Sequence, residues 1–120
     1  MSKILIVEDN AESRYMLERL LESKGHHIIT AENGGDALRI ARQDPPEVII
    51  SDIMMPVMNG LDLLQQVKDE DSEQLVIVMT GYADKDIILR ALKAHADDFI
   101  QKPINLLQLK TSIAQALEKK

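Results

Sequence analysis

Five side chains in this 120-residue chain, Glu8, Asp9, Asp52, Thr80 and Lys102, stand at or just past the ends of four short apolar runs. Brought to one place, three carboxylates repel one another, and the usual relief is a shared proton or a bound cation. Hard oxygen donors with room for water suit Mg²⁺ or Mn²⁺. A carboxylate beside such a cation can attack a phosphoryl group and carry it as an aspartyl phosphate. A threonine hydroxyl in reach can hydrogen-bond a phosphoryl oxygen, and a lysine ammonium can neutralise charge that the cation leaves uncovered. Taken singly, each residue has a commonplace role. The acidic pair would favour the positive end of a following helix. Asp52 could form a turn and Thr80 a helix cap, and Lys102 could be a solvated surface lysine. Four coincidences at four run ends are what point to a site.

Those ends can meet only if the runs lie side by side. The runs are Ile4 to Val7, Ile28 to Ile29, Val48 to Ile50, Leu75 to Met79 and Phe99 to Ile100. They are mostly continuous rather than alternating, as in parallel strands covered on both faces. Between and after them come helical patterns: Met16, Leu17, Leu20, Leu21, then Ala37, Leu38, Ala41, then Leu61, Leu64, Val67, then Ile87, Ile88, Ala91, Leu92, and last Leu106, Leu109, Ile113, Leu117. Gly25 can end the first helix, Pro45 and Pro46 separate the second helix from the third strand, and Gly34, Gly35, Gly60 and Gly81 are expected in turns. This is an α/β pattern, (βα)5. It predicts a flavodoxin-like, doubly wound five-stranded parallel sheet of order 2-1-3-4-5, whose ligands sit outside the carboxyl ends of the strands. In that order the first and third strands are neighbours, which brings Glu8, Asp9 and Asp52 into one crevice.

Length and composition bound what else the chain can be. It has room for one domain, 1–120, with 45% apolar and 28% charged residues. The longest apolar runs are about five residues, too short to span a bilayer, so no membrane role is expected. Lys3 is followed by a short run ending in Glu8 and Asp9 rather than by a long apolar leader, which favours a cytoplasmic location. No cysteine is present, which removes disulfides, thiolate metal sites and a cysteine nucleophile. The net charge of -6, with no basic stripe, argues against direct nucleic-acid binding and for a protein partner.

The chain resembles the receiver domains of two-component response regulators along its whole length. The motifs that carry the likeness are Ile4-Leu5-Ile6-Val7-Glu8-Asp9-Asn10, Asp52-Ile53-Met54-Met55-Pro56, Asn59-Gly60, Thr80-Gly81 and Lys102-Pro103. The resemblance implies a phosphorylation-activated switch of a two-component or phosphorelay system. Asp52 would accept the phosphoryl group from a phosphohistidine of a sensor histidine kinase or a histidine phosphotransfer protein. Small donors such as acetyl phosphate could substitute. Glu8, Asp9 and Asp52, with the backbone carbonyl of Met54, would hold Mg²⁺ or Mn²⁺. Thr80 and Phe99 would act as switch residues, Lys102 would contact the phosphate, and the Lys102 to Pro103 bond would be cis. Glu8 stands where aspartate is also common, and either can ligate a cation. The output would be read on the face made by the fourth helix, the fifth strand and the fifth helix, by a downstream protein or an output domain, with the chain a monomer or a phosphorylation-dependent dimer. Kinase docking is expected at Glu12, Ser13 and Met16, and the chain would be no turnover enzyme, catalysing only its own phosphorylation and dephosphorylation. Its end, just past the fifth helical pattern, suits either a free-standing receiver or part of a longer regulator.

Phosphate lifetime depends on whether water can reach phosphorus in line. Met54 and Tyr82 are expected to flank that path as hydrolysis-tuning residues, bulky and without a group to hold an attacking water. The rival reading is an aspartate-nucleophile phosphohydrolase of small phosphate esters. Such enzymes usually need a second acid two residues past the nucleophile, and Met54 stands there. Other features read as ordinary structure. His26, His27 and His95 carry no expected role, and Asn33-Gly34-Gly35 lacks the lysine and hydroxyl of a phosphate loop. Asp97 and Asp98 read as a solvated start of the fifth strand. Leu89 and Leu107 fall off the apolar stripes of their helices and are expected to be exposed.

Overall fold

Short runs of Ile, Val and Leu favour strands that are buried on both sides. The computed structural model describes residues 2–55, 58–81 and 85–118. The elements alternate throughout: β1 (Lys3–Val7), α1 (Ala11–Glu22), β2 (His27–Ala31), α2 (Gly34–Gln43), β3 (Val48–Asp52), α3 (Gly60–Glu70), β4 (Leu75–Thr80), α4 (Lys85–Lys93), β5 (Asp98–Gln101) and α5 (Leu106–Glu118). The five strands are parallel and lie in the order β2-β1-β3-β4-β5, the doubly wound arrangement that the sequence pattern predicts.

Each apolar run divides its side chains between two cores, because alternate residues of a strand face opposite sides. Leu5, Val7, Ile49, Val76 and Val78 meet Ala37, Leu38, Leu61, Leu64, Val67 and Ala91 from α2, α3 and α4. Ile4, Ile6, Val48, Ile50, Ile77, Met79 and Ile100 meet Leu17, Leu21, Leu109, Ile113 and Ala116 from α1 and α5. At roughly 1.5–3 kcal/mol for each large aliphatic side chain removed from water, the two cores supply the main stabilising term.

Asparagine side chains cap the helices that follow the sheet. Asn10, Asn33 and Asn59 accept from main-chain N–H groups in the first turns of α1, α2 and α3, and Asn105 accepts from Gln108 N in the first turn of α5. Gly34, Gly35 and Gly60 therefore lie in helical first turns rather than in the turns expected from sequence. At Gly60 the reason is contact, not flexibility. A Cβ there would lie 2.3 Å from the Asp52 carbonyl oxygen and 2.7 Å from Ile53 Cα, so only glycine lets α3 start against the end of β3. Gly25, at φ +88, ends α1 as expected.

Two further expectations are corrected. Leu92, read as a position on the apolar stripe of α4, is 58% exposed, and Met16 of the α1 pattern is 62% exposed, because α1 and α4 touch the sheet over a narrower arc than their apolar patterns cover. Asp97 and Asp98 are not a solvated strand start. Asp97 forms a nearly buried ion pair with Lys68 of α3 at 2.9 Å and accepts from Val76 N, while Asp98 accepts from Ser112 of α5. They tie β5 to its neighbours. Leu89 and Leu107 are exposed, as the helical pattern implies.

Candidate functional site

Parallel register brings the carboxyl ends of the strands to one edge. Val7 pairs with Ser51, Asp52 with Met79 and Thr80 with Gln101, so Glu8, Asp52, Thr80 and Lys102 reach the same rim of the sheet. Main-chain bonds fix the rim: Ile53 N donates to Met79 O at 2.9 Å, and Lys102 N to Thr80 O at 2.8 Å. Each carboxylate of Glu8, Asp9 and Asp52 has an oxygen within 4.8 Å of the others'. Glu8 and Asp52 are buried and Asp9 is exposed.

The Lys102 ammonium lies 2.8 Å from Glu8 Oε1 and 2.8 Å from Asp52 Oδ2, bridging the two buried carboxylates. Burial pushes the Glu8 carboxyl up to about 7; the neighbouring Asp52 carboxylate adds to the rise, and Lys102 opposes it. Burial also works against the Lys102 ammonium, but its bonds to Asp52 and Glu8 outweigh that and hold its pKa above the ordinary lysine value. The Lys102 ammonium thus relieves part of the crowding of Glu8 and Asp52, and burial favours the protonated form of Glu8.

The donor set fits a hard divalent cation. It offers oxygen ligands from three carboxylates, and Glu8 Oε2 is buried without a hydrogen-bond partner among the described residues. A buried oxygen with no donor is costly unless something bonds it. Met54 N donates to Asp52 Oδ1 at 3.2 Å, so the chain after β3 folds back over the carboxylate. Thr80 is fully buried, and it shares a sheet face with Val78 because alternate residues do. Phe99, paired with Val78, is half-buried against the same core. The Lys102-Pro103 peptide is cis, as the resemblance implies.

Of the remaining expected site residues, Glu12 is exposed and Ser13 half-buried in the first turns of α1, and Met16 follows one turn on. Ser13 and Met16 line a groove of about 300 Å³ together with Leu20, Pro103 and Ile104, and the site residues Glu8 and Lys102 line it too. The Met54 side chain is 58% exposed at the mouth of the site. Tyr82 and Pro56 lie outside the described residues. Sequence reasoning missed two things. One is the pairing of Lys102 with Glu8 as well as Asp52. The other is Arg14, whose Nη1 donates to the Glu8 carbonyl oxygen at 2.9 Å; a charged residue in a helix at that spacing gives no signal of its own.

The family model described as the response regulator receiver domain matches residues 4–114, and the chain belongs to that family. Protein PilH of Pseudomonas aeruginosa is 35% identical over 107 residues, a match covering 88% of each chain. The cyclic di-GMP phosphodiesterase of Thermotoga maritima is 36% identical over 114 residues, which cover 95% of this chain and 30% of that protein. This chain also spans less than half the length of other curated relatives, 46% of one and 24% of another. Among solved structures, a response regulator receiver domain protein from Clostridium thermocellum aligns with a TM-score of 0.94 at 30% identity, covering 99% of this chain and 96% of that one.

Proposed function

We propose that this chain, as one receiver domain over 1–120, is a phosphorylation-activated switch with Asp52 as its acceptor. The observation that carries this is a buried Asp52 carboxylate at the end of β3, bonded to Lys102 at 2.8 Å and grouped with Glu8 and Asp9. A phosphohistidine of a sensor histidine kinase or a histidine phosphotransfer protein is the donor. An Asp52 oxygen bonds to phosphorus as the phosphorus–nitrogen bond breaks, and the electron pair stays with the imidazole. Mg²⁺ or Mn²⁺ held by Glu8, Asp9, Asp52 and the Met54 carbonyl supplies charge neutralisation for the phosphoryl oxygens.

The chain's own residues do the rest. Lys102 moves from bridging two carboxylates to bonding a phosphoryl oxygen, and the Thr80 hydroxyl donates to another. Drawn inward, Thr80 leaves space that Phe99 fills, and the α4–β5–α5 face changes. Exposed Leu89 and Leu92 on α4 and Leu107 on α5 give that face apolar contacts for a downstream protein or an output domain. Kinase docking uses Glu12, Ser13 and Met16 at the groove beside the site. The protein works as a cytoplasmic switch rather than a turnover enzyme, without membrane or direct nucleic-acid binding, as a monomer or a phosphorylation-dependent dimer.

The phosphohydrolase reading lacks its second acid, since position 54 carries a methionine. Intact mass after acetyl phosphate treatment separates the two. With Mg²⁺ the switch gains one phosphoryl group and leaves p-nitrophenyl phosphate intact. Sustained ester turnover, with the aspartyl phosphate hydrolysed too fast to accumulate, would establish the hydrolase instead.

A further inference from the structure

Asp9 differs from the other two carboxylates of the cluster. Glu8 and Asp52 are buried and bonded to Lys102, whereas Asp9 is exposed and makes no hydrogen bond or ion pair with another described residue. Its placement rests on its main chain, and one residue grips that chain on both sides. Arg14 N donates to the Asn10 carbonyl at 2.9 Å, and Arg14 Nη1 donates to the Glu8 carbonyl at 2.9 Å. The two carbonyls flank Asp9. The first bond is an ordinary helical bond that any residue at position 14 except proline would make. The second needs a long side chain with a charged donor, and Arg14 is half-buried, so its guanidinium reaches the carbonyl out of full competition with water. The Asn10 side chain, which accepts from Ser13 N at 2.9 Å, anchors the same turn.

We infer that Arg14 is a positioning residue for the cation site: by holding the Glu8 carbonyl it fixes the peptide that carries Asp9 and so presets the third carboxylate ligand. This rests on the cation site of the proposed function. An outer group that orients a ligand saves the ordering that binding would otherwise require, and loss of such a group typically weakens metal binding by 10–100-fold. The sign separates positioning from simple charge. A guanidinium acting only through space would repel a divalent cation, so its removal would tighten Mg²⁺ binding.

The test is calorimetric titration of the full chain with Mg²⁺ at fixed ionic strength, comparing wild type with Arg14→Met, Arg14→Gln and Arg14→Lys. Positioning requires that Kd rise roughly tenfold in Arg14→Met and recover in part in Arg14→Lys, which keeps a charged donor. The midpoint of unfolding in EDTA should fall far less than the affinity loss implies, because the bond orders one peptide at the rim of the sheet and not the core. If Arg14→Met does not fold, Arg14→Gln and Arg14→Lys carry the same ranking. A Kd within twofold of wild type, or a lower one, would overturn the inference. A wild type that takes up no Mg²⁺ would bring down the cation site itself, which distinguishes that failure from one confined to Arg14.

Discussion

Metal-free protein should lose stability as pH rises through neutrality, with Glu8 as the cause. Its carboxyl is fully buried and is raised from an ordinary 4.5 to about 7. Between those values the folded state binds a proton that the unfolded state has released, so the slope of unfolding free energy with pH is negative. The contribution is fully present below about 4.5 and lost once pH passes about 7. A difference of that size corresponds to about 3 kcal/mol at 1.36 kcal/mol per unit. For a domain of this length that lowers the midpoint of thermal unfolding by about 10 °C. The assay is thermal unfolding in EDTA from pH 5 to 8 on wild type and Glu8→Gln, with the difference between the two curves isolating position 8. Glutamine keeps an oxygen for Lys102 and cannot ionise, so the variant should be flat where the wild type declines. Saturating Mg²⁺ should restore the wild type at high pH, since cation binding replaces the proton. A wild-type midpoint that is level or rises across that range, or an equal decline in Glu8→Gln, would refute the reasoning.

Other residues carry predictions of their own. Met16→Arg should slow phosphoryl transfer from a partner phosphohistidine protein by about tenfold or more while leaving acetyl phosphate labelling intact, because Met16 is exposed on the groove and not bonded to the acceptor; equal losses with both donors would contradict the docking assignment. Gly60→Ala should destabilise by about 3 kcal/mol, read as a denaturant midpoint, because its Cβ would overlap backbone atoms of Asp52 and Ile53 that cannot swing aside. Met54→Asn combined with Tyr82→Glu should speed spontaneous dephosphorylation by about fivefold, the effect of one organised water contact worth about 1 kcal/mol; a time course of phosphate loss after donor removal checks it.

The parallel sheet was legible because the apolar runs of β1, β3 and β4 are continuous and short, and its order came from the flavodoxin-like class that the (βα)5 pattern implies. Parallel pairing in that order then fixes which run ends meet, so Glu8, Asp9, Asp52, Thr80 and Lys102, which stand at those ends, could be grouped. Leu92 was misjudged for a different reason, and Met16 shares its setting. Helical periodicity reports which residues lie on one face, not how wide an arc the sheet covers, and both lie at the uncovered edge. The roles of Asp97 and Asp98 depend on contacts with Lys68 and Ser112, and sequence spacing does not reveal such long-range partners. Arg14 escaped for the same reason, since its bond is to a main-chain carbonyl that every residue possesses.

The most direct measurement is the location of the phosphoryl group. The full chain is treated with acetyl phosphate and Mg²⁺, reduced with borohydride to trap any acyl phosphate, digested and mapped by tandem mass spectrometry, with Asp52→Asn in parallel. A switch built on this site requires a single reduced residue, at position 52, and an unlabelled variant. Label on another residue, or an Asp52→Asn chain labelled as fully as the wild type, would contradict it.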